Sequence, residues 1–260
     1  MKLIILILFS FLSMSNAYAE LTAFQIMKKN DAQLKVQDEQ VSVRMRLINK
    51  QNDVRERTIL ISTKTDNNEL QSSLIKFKSP KNVAGTGLLT VENLNNDDDQ
   101  WLYLPALKRS RRISAANQSD SFMGTDFSYE DLSTENLEEY SYSLLGEEII
   151  NGTKHYKIEA IANNEETLNE SGYSRRLLWI ESTNYILAKA FYFNKAGQHV
   201  KTLIAENIRP VSGTDVSRSH KVTMKNLKTG HQTQLTYEDY LINKGLSSNQ
   251  FSMRSLERGW

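Results

Sequence analysis

Two periods divide the apolar residues of this chain. Between Leu21 and Val36, the residues Leu21, Phe24, Ile26, Met27 and Leu34 stand among polar neighbours at spacings near the helical period, which predicts an amphipathic first helix. From Val41 onward the period is two. Val41, Val43, Met45 and Leu47 alternate with Ser42, Arg44 and Arg46, and a second alternation follows over 57–63. Successive side chains of a half-buried strand point to opposite faces, so both stretches predict strands. Further strands are predicted at 73–78, 87–94, 101–104 and 111–114. After an irregular stretch from 115 to 134, they resume at 139–144, 155–161, 175–180, 186–193, 200–207, 219–224 and 232–237. Residues 250–257 read as a short closing helix.

The gaps carry turn chemistry: Asp66-Asn67-Asn68, the run from Asn95 to Asp99, and Asn151-Gly152 favour positive φ or side-chain bonding to the backbone. About a dozen strands at hairpin spacing, with only 3 Pro in the chain, predict one continuous curved antiparallel sheet. Strands and helices do not alternate, which argues against a parallel α/β sheet.

The N-terminus changes the picture. Lys2, an apolar run from Leu3 to Leu12 and the small residues of Ala17-Tyr18-Ala19 have the layout of a secretory signal, with cleavage expected after Ala19. The apolar run is shorter than the roughly 20 residues a membrane-spanning helix needs. The expected organisation is therefore a signal peptide at 1–19 and a single exported domain at 20–260. The chain has no Cys, which excludes a lipidated N-terminal cysteine, disulfides and thiolate chemistry. A soluble periplasmic protein is expected. Lys and Arg number 32 against 31 Asp and Glu, and removing Lys2 with the signal leaves 31 against 31, so net charge proposes no partner and nucleic acid is not expected.

Catalytic chemistry finds little support. His155, His199, His220 and His231 are dispersed, with no metal-binding spacing. Asp97-Asp98-Asp99 lacks the interleaved spacing of a calcium loop, Gly85-Thr86-Gly87 lacks the lysine of a phosphate loop, and no Gly-x-Ser-x-Gly elbow occurs. No enzyme activity, metal or cofactor is expected.

The most distinctive window runs from Asp99 to Ser114, DQWLYLPALKRSRRIS, and continues from Ser119 to Leu132, SDSFMGTDFSYEDL. It resembles the signature of the outer-membrane lipoprotein-sorting proteins, relatives of the LolA and LolB carriers: Trp-x-Tyr-x-Pro, a basic Lys-Arg-x-Arg-Arg-Ile, then Phe-Met-Gly-x-Asp-Phe-Ser-Tyr-Glu-Asp-Leu. The resemblance implies a mainly β fold, a half-open antiparallel barrel over a hydrophobic cavity with a few helices as lid. It implies a monomeric carrier of lipid or lipoprotein acyl chains, working with a transporter of the resistance-nodulation-division type or an outer-membrane acceptor. A second reading is an envelope sensor or adaptor that uses the same fold to bind a protein partner.

On that architecture Leu47, Ile59, Ile61, Ile75, Phe77, Leu89, Trp101 and Tyr103 are candidate cavity positions, although the pattern alone does not separate them from sheet core. Lys108, Arg109, Arg111 and Arg112 are candidates for holding a headgroup phosphate or docking an acidic partner, or they protect an exposed edge strand. The segment containing Phe122, Met123, Gly124, Asp126, Phe127, Tyr129, Glu130 and Asp131 reads as a flap over the cavity mouth or as a connector between two halves of the sheet. Gly124 permits a tight turn, Ser128 suits a helix cap before Tyr129, and salt bridges from the flap acids to Arg109, Arg111 or Arg112 would latch it.

Overall fold

The computed structural model describes residues 21–94 and 98–258, so the signal sequence expected at 1–19 lies outside the described residues. Helix α1 (Ala23–Leu34) opens the chain, started by a capping box in which the Thr22 hydroxyl accepts from the Gln25 amide and the Gln25 side chain accepts from the Thr22 amide. Its buried face is Ala23, Ile26, Met27 and Asn30, and the Asn30 side chain donates to the Tyr185 carbonyl at 2.6 Å.

Thirteen strands follow. The first six are β1 (Asp38–Ile48), β2 (Val54–Thr65), β3 (Gln71–Ser79), β4 (Gly87–Val91), β5 (Asp99–Leu104) and β6 (Arg109–Arg112). After a long connection come β7 (Tyr140–Ile150), β8 (Thr153–Ala162), the short helix α2 (Glu165–Glu170), β9 (Arg175–Glu181), β10 (Leu187–Phe193), β11 (His199–Pro210), β12 (Ser217–Asn226) and β13 (Gln232–Ile242). Helix α3 (Met253–Glu257) ends the described chain.

The strands form a single antiparallel sheet in the order β6-β5-β4-β3-β2-β1-β13-β12-β11-β10-β9-β8-β7. Each neighbouring pair is consecutive in the chain except one: β1 joins β13, pairing Val43 with Tyr237 and Met45 with Leu235. The two ends of the chain thus meet in the middle of the sheet, and β6 and β7 are left as its free edges. The sheet is open rather than closed, as a half-open barrel requires. Its edges are joined covalently by the connection 113–139, which crosses one face of the sheet.

Every predicted strand is present, with boundaries moved by a few residues. The largest shift is at β7, which runs on to Ile150 instead of ending at 144; β6 spans Arg109–Arg112 instead of 111–114, because its pairing with β5 already starts at Arg109 opposite Leu104. Lys108 has φ +47 and belongs to the turn before β6, not to the strand. The closing helix starts at Met253 rather than 250.

Two clusters hold the fold together. The larger lies between the inner face of the sheet, α1 and the connection 113–139, and includes Val43, Met45, Ile59, Phe77, Leu88, Leu102, Ile158, Leu178, Ala190 and Met224. The smaller lies on the outer face, where Leu256 of α3 is fully buried against Leu74 and Leu89. Gly87 makes room for it, since a Cβ there would stand 2.8 Å from Leu256 Cδ1. The Lys76 ammonium and the Ser110 hydroxyl fasten the same segment through the Arg258 carbonyl at 2.6 Å and the Glu257 carboxylate at 2.7 Å.

Candidate functional site

Residues directly opposite in an antiparallel pair share a face, so the register assigns every strand residue a side. Val43, Ile59, Phe77 and Ile75 form one row with Leu88 and Leu102; on the other side of β1 the row continues through Leu235, Val222, Ala205, Leu203, Ala190, Leu178 and Ile158. This row of the inner face is apolar across eleven successive strands. Among the described residues no second sheet covers it. Its cover is α1 together with the connection 113–139.

The connection fills the interior with aromatic rings. Phe122, Phe127 and Tyr129 are buried, and the Phe122 ring centroid lies 5.7 Å from Phe77 and 5.7 Å from Tyr129. The tip reverses direction at Met123 and Gly124, both with positive φ (+51 and +72); glycine meets this demand without strain and leaves the tip exposed. Beyond the tip, Ser128 and Asp131 cap one another: the Ser128 amide donates to the Asp131 carboxylate at 2.8 Å, and the Asp131 amide donates to the Ser128 hydroxyl at 3.3 Å. The result is a single 3-10 turn, Glu130–Leu132, where the sequence predicted a short helix.

Polar anchors tie this apolar plug to the surrounding sheet. The Arg57 guanidinium lies over the Phe77 ring and donates to the Met123 carbonyl at 2.7 Å. The Asp126 carboxylate accepts from His231 Nδ1 at 2.7 Å and from the Thr233 hydroxyl at 2.8 Å. Asp131 accepts from the Tyr173 hydroxyl at 3.0 Å and from the Lys201 ammonium at 3.2 Å. Glu130 accepts from the Ser171 hydroxyl and from the Gly172 amide. Glu135 pairs with Arg176 and accepts from the Tyr142 hydroxyl. The Gln100 side chain donates to the Tyr129 carbonyl at 3.1 Å.

Burial sets the electrostatics of these anchors. It pushes the Glu130 carboxyl above its usual range, against the Ser171 and Gly172 hydrogen bonds that pull it down. Burial, then the Asp131 charge, raises the Tyr173 hydroxyl, so it stays a neutral donor. Burial opposes the charge of Arg176, but Glu135 beside it more than compensates and holds the guanidinium above its usual range. Arg57 is lowered by burial and by neighbouring Arg55. Where the connection reaches β7, a cleft of about 360 Å³ opens. Its walls include Glu92, Asp98, Glu130, Glu135 and Glu170 with Lys35 and Arg176, so it is polar and predominantly acidic.

The register divides the candidate cavity residues. Leu47, Ile59, Ile61, Ile75 and Phe77 are on the inner face, with Ile61 opposite Ile75. Leu89, Trp101 and Tyr103 do not line the interior: they point outward, with Leu89 opposite Trp101, and pack beneath α3. The flap residues Phe122, Asp126, Phe127 and Tyr129 are buried, Met123, Glu130 and Asp131 partly so, and Gly124 is exposed.

The expected latch does not form. The connection crosses the inner face from β6 towards β7 past β13, β11 and β9, so its acids meet His231, Lys201, Ser171 and Arg176 rather than the basic group behind it. Within that group, Arg112 pairs with Asp99, and only Arg111 approaches the flap, at the Tyr129 hydroxyl. Arg109 and Arg111 share the inner side and Arg112 the outer, while Lys108 stands in the turn. Arg57, Tyr173, Arg176, Lys201 and Thr233 went unnoticed in the sequence, and His231 stood there only as an isolated histidine, since nothing local links them to the flap.

Comparison with known proteins gives a consistent answer. A family model described as "uncharacterized protein" matches residues 69–258. No curated protein matches the chain. Among solved structures, a domain described as an outer membrane lipoprotein-sorting protein from Vibrio parahaemolyticus is 32% identical over 91% of this chain and 98% of its own, with a TM-score of 0.83. A DUF1329 family protein from Desulfovibrio piger is 27% identical over 90% of this chain and 97% of its own, also at 0.83. A LolA superfamily protein from Nitrosomonas europaea shares the fold at 22% identity, covering 91% of this chain and all of its own, with a TM-score of 0.70. With the motif of 99–132, the open antiparallel sheet and a match spanning nearly the whole of both chains, the protein belongs to the outer-membrane lipoprotein-sorting family and has a LolA-like fold.

Proposed function

We propose that the protein is a periplasmic carrier that takes a lipid or lipoprotein acyl chain onto its inner sheet face and passes it between components of the envelope. One observation carries this reading: an apolar row spanning eleven strands is covered by a helix and a connection instead of a second sheet. The export signal at 1–19 is removed, and 20–260 acts as one domain. No helix among the described residues is long and apolar enough to cross a membrane. The Vibrio relative's description as a lipoprotein-sorting domain supports the same class of cargo.

The energetics of exchange are balanced. Burying the three flap rings contributes about 1.5–3 kcal/mol each, or about 5–9 kcal/mol together. An acyl chain burying ten methylenes in their place contributes about 8 kcal/mol, at about 0.8 kcal/mol per methylene. Cargo therefore displaces the flap without a large net change, and the flap displaces cargo when an acceptor draws it out. In this account Leu47, Ile59, Ile61, Ile75 and Phe77 line the loaded cavity, and the flap is the gate. A transporter of the resistance-nodulation-division type supplies the cargo, or an outer-membrane protein accepts it; the chain itself carries out no chemistry.

A second reading rests on the acidic cleft beside Arg176. An adaptor would seat a basic peptide there and keep its interior closed. Titration with a fluorescent fatty acid separates the two. The carrier reading predicts saturable binding near one per chain, competed by unlabelled fatty acid and accompanied by exposure of Phe122. No uptake, together with binding of a lysine-rich peptide, would transfer the assignment to the adaptor.

A further inference from the structure

The antiparallel order places five hairpin turns side by side along one end of the sheet. In spatial order they join β5 to β6, β3 to β4, β1 to β2, β12 to β13 and β10 to β11. Each turn contains one exposed lysine: Lys108, Lys81, Lys50, Lys228 and Lys195. Exposed Lys78, Arg109, Arg55 and Lys225 flank four of them. The five turns contain a single carboxylate, Asp53, and the Asn49 amide already occupies it at 2.9 Å. The turns at the opposite end are the reverse. Among their described residues are Asp66, Glu69, Glu92, Asp98 and Asp215, with no lysine or arginine. The two sets of turns thus differ in charge in a chain of nearly zero net charge, with Lys35 before β1 and Lys244 after β13 standing outside the turns at the far end.

The lysine rim also carries exposed aliphatic side chains. Leu107 is 63% exposed immediately before Lys108, Leu227 is 43% exposed immediately before Lys228, and Val54 is 40% exposed at the start of β2. With strands about 4.8 Å apart, five turns at every second gap extend over about 40 Å. Single cations spread along such a length, with aliphatic tips between them, match a planar diffuse anionic surface better than the compact carboxylate cluster of a protein partner. The connection 163–174, with Glu165, Glu166 and Glu170 in α2, bounds the rim on one side.

We propose that this rim docks the protein on an anionic lipid bilayer, with Leu107 and Leu227 entering the interface and the five lysines meeting headgroup phosphates. The flap tip is anchored at the same end: Arg57 holds the Met123 carbonyl close to the start of β2, and His231 holds Asp126 in the β12–β13 turn. A bilayer docked there meets the gate. The surface is separate from the acyl cavity, and its assignment holds whatever the interior carries.

Vesicle co-sedimentation of the full chain tests it, using vesicles of phosphatidylglycerol mixed with phosphatidylethanolamine against vesicles of phosphatidylcholine. Binding to the anionic vesicles is expected at low salt and is lost at about 1 M salt, where the screening length falls to about 3 Å. Each lysine near an anionic surface is worth about fivefold in partitioning, so Lys50→Ala, Lys81→Ala and Lys228→Ala combined weaken binding about a hundredfold. Leu227→Ser weakens it without changing the salt dependence. Fatty-acid uptake measured on the same triple variant stays at the parent level, which distinguishes failure of docking from failure of the carrier function. Equal binding to both vesicle types, or unaltered binding by the triple variant at parental thermal stability, would overturn the proposal. So would capture by a soluble acidic protein with no vesicle binding.

Discussion

Truncating Phe122 tests whether the flap is a gate or a fixed part of the core. Its side chain is 2% exposed and sits between the rings of Phe77 and Tyr129. Phe122→Ala removes that packing and leaves a void, a change that costs about 3–5 kcal/mol in a buried site. If the connection lifts as a unit, the cost falls on the closed state alone, because the open state has already given up these contacts. An acyl probe that binds only the open state then gains the same free energy. At about 1.4 kcal/mol per tenfold, its apparent affinity rises between about a hundredfold and a few thousandfold, up to the limit at which the open form predominates.

The assay is fluorescent fatty-acid titration paired with hydrogen exchange. The expected outcome is tighter binding with faster exchange at residues 121–132, while amides of β1 and β13 keep their protection. Unchanged affinity, or loss of protection in β1 and β13 together with the flap, would refute the gate.

Three further variants examine the supporting structure. Leu256→Ala empties the pocket beside Gly87 and should lower unfolding stability by about 3 kcal/mol in urea, without altering fatty-acid uptake, since α3 lies on the outer face. Arg176→Met strands the Glu135 carboxylate; the pair is only 15% and 24% exposed, so a loss of about 3 kcal/mol is expected, and adding Glu135→Leu should restore most of it in the same urea experiment. Burial raises the Glu130 pKa in the folded protein, so the stability it contributes is present below its unfolded pKa and is lost as pH rises through the folded one. Glu130→Gln removes that loss, and its melting temperature relative to the parent should be more favourable at about pH 7 than at about pH 4, the ordinary glutamate range; an equal difference at the two pH values would count against burial of the charge.

Much of the fold was legible because an antiparallel meander writes its period directly into the sequence. Val41 to Leu47 shows alternation because one face of β1 is buried and the other is not. The same logic fails in β3 to β5, where neighbouring residues are apolar on both faces: Leu74 beside Ile75, Leu88 beside Leu89, Trp101 beside Leu102. Helix α3 covers the outer face there, so Leu89 is buried, and Trp101 and Tyr103 partly buried, for a different reason from Ile75 and Phe77. A strand covered on both sides loses the alternation that reveals its orientation. Helix α2, with six residues and an Asn164 cap, is too short to display a helical period.

The flap could be located from its composition, but its anchors could not. Asp126 finds His231 across 105 positions and Asp131 finds Lys201 across 70. Local spacing indicated the basic run 108–112 as the partner of these acids. The register shows why it is not: β6 is an edge strand, and the connection leaves it immediately to cross the inner face. Topology, which joins β1 to β13 and leaves β6 and β7 apart, decides which charges meet.

The central claim is that the inner face holds an acyl chain in the cell. Native mass spectrometry of the protein purified from the periplasm of its own host, followed by organic extraction of whatever it carries, measures this most directly. The account predicts a fraction of the protein bearing one acyl lipid or lipoprotein, increased in Phe122→Ala. A protein that is empty in both forms, and remains empty when offered fatty acid, would contradict it.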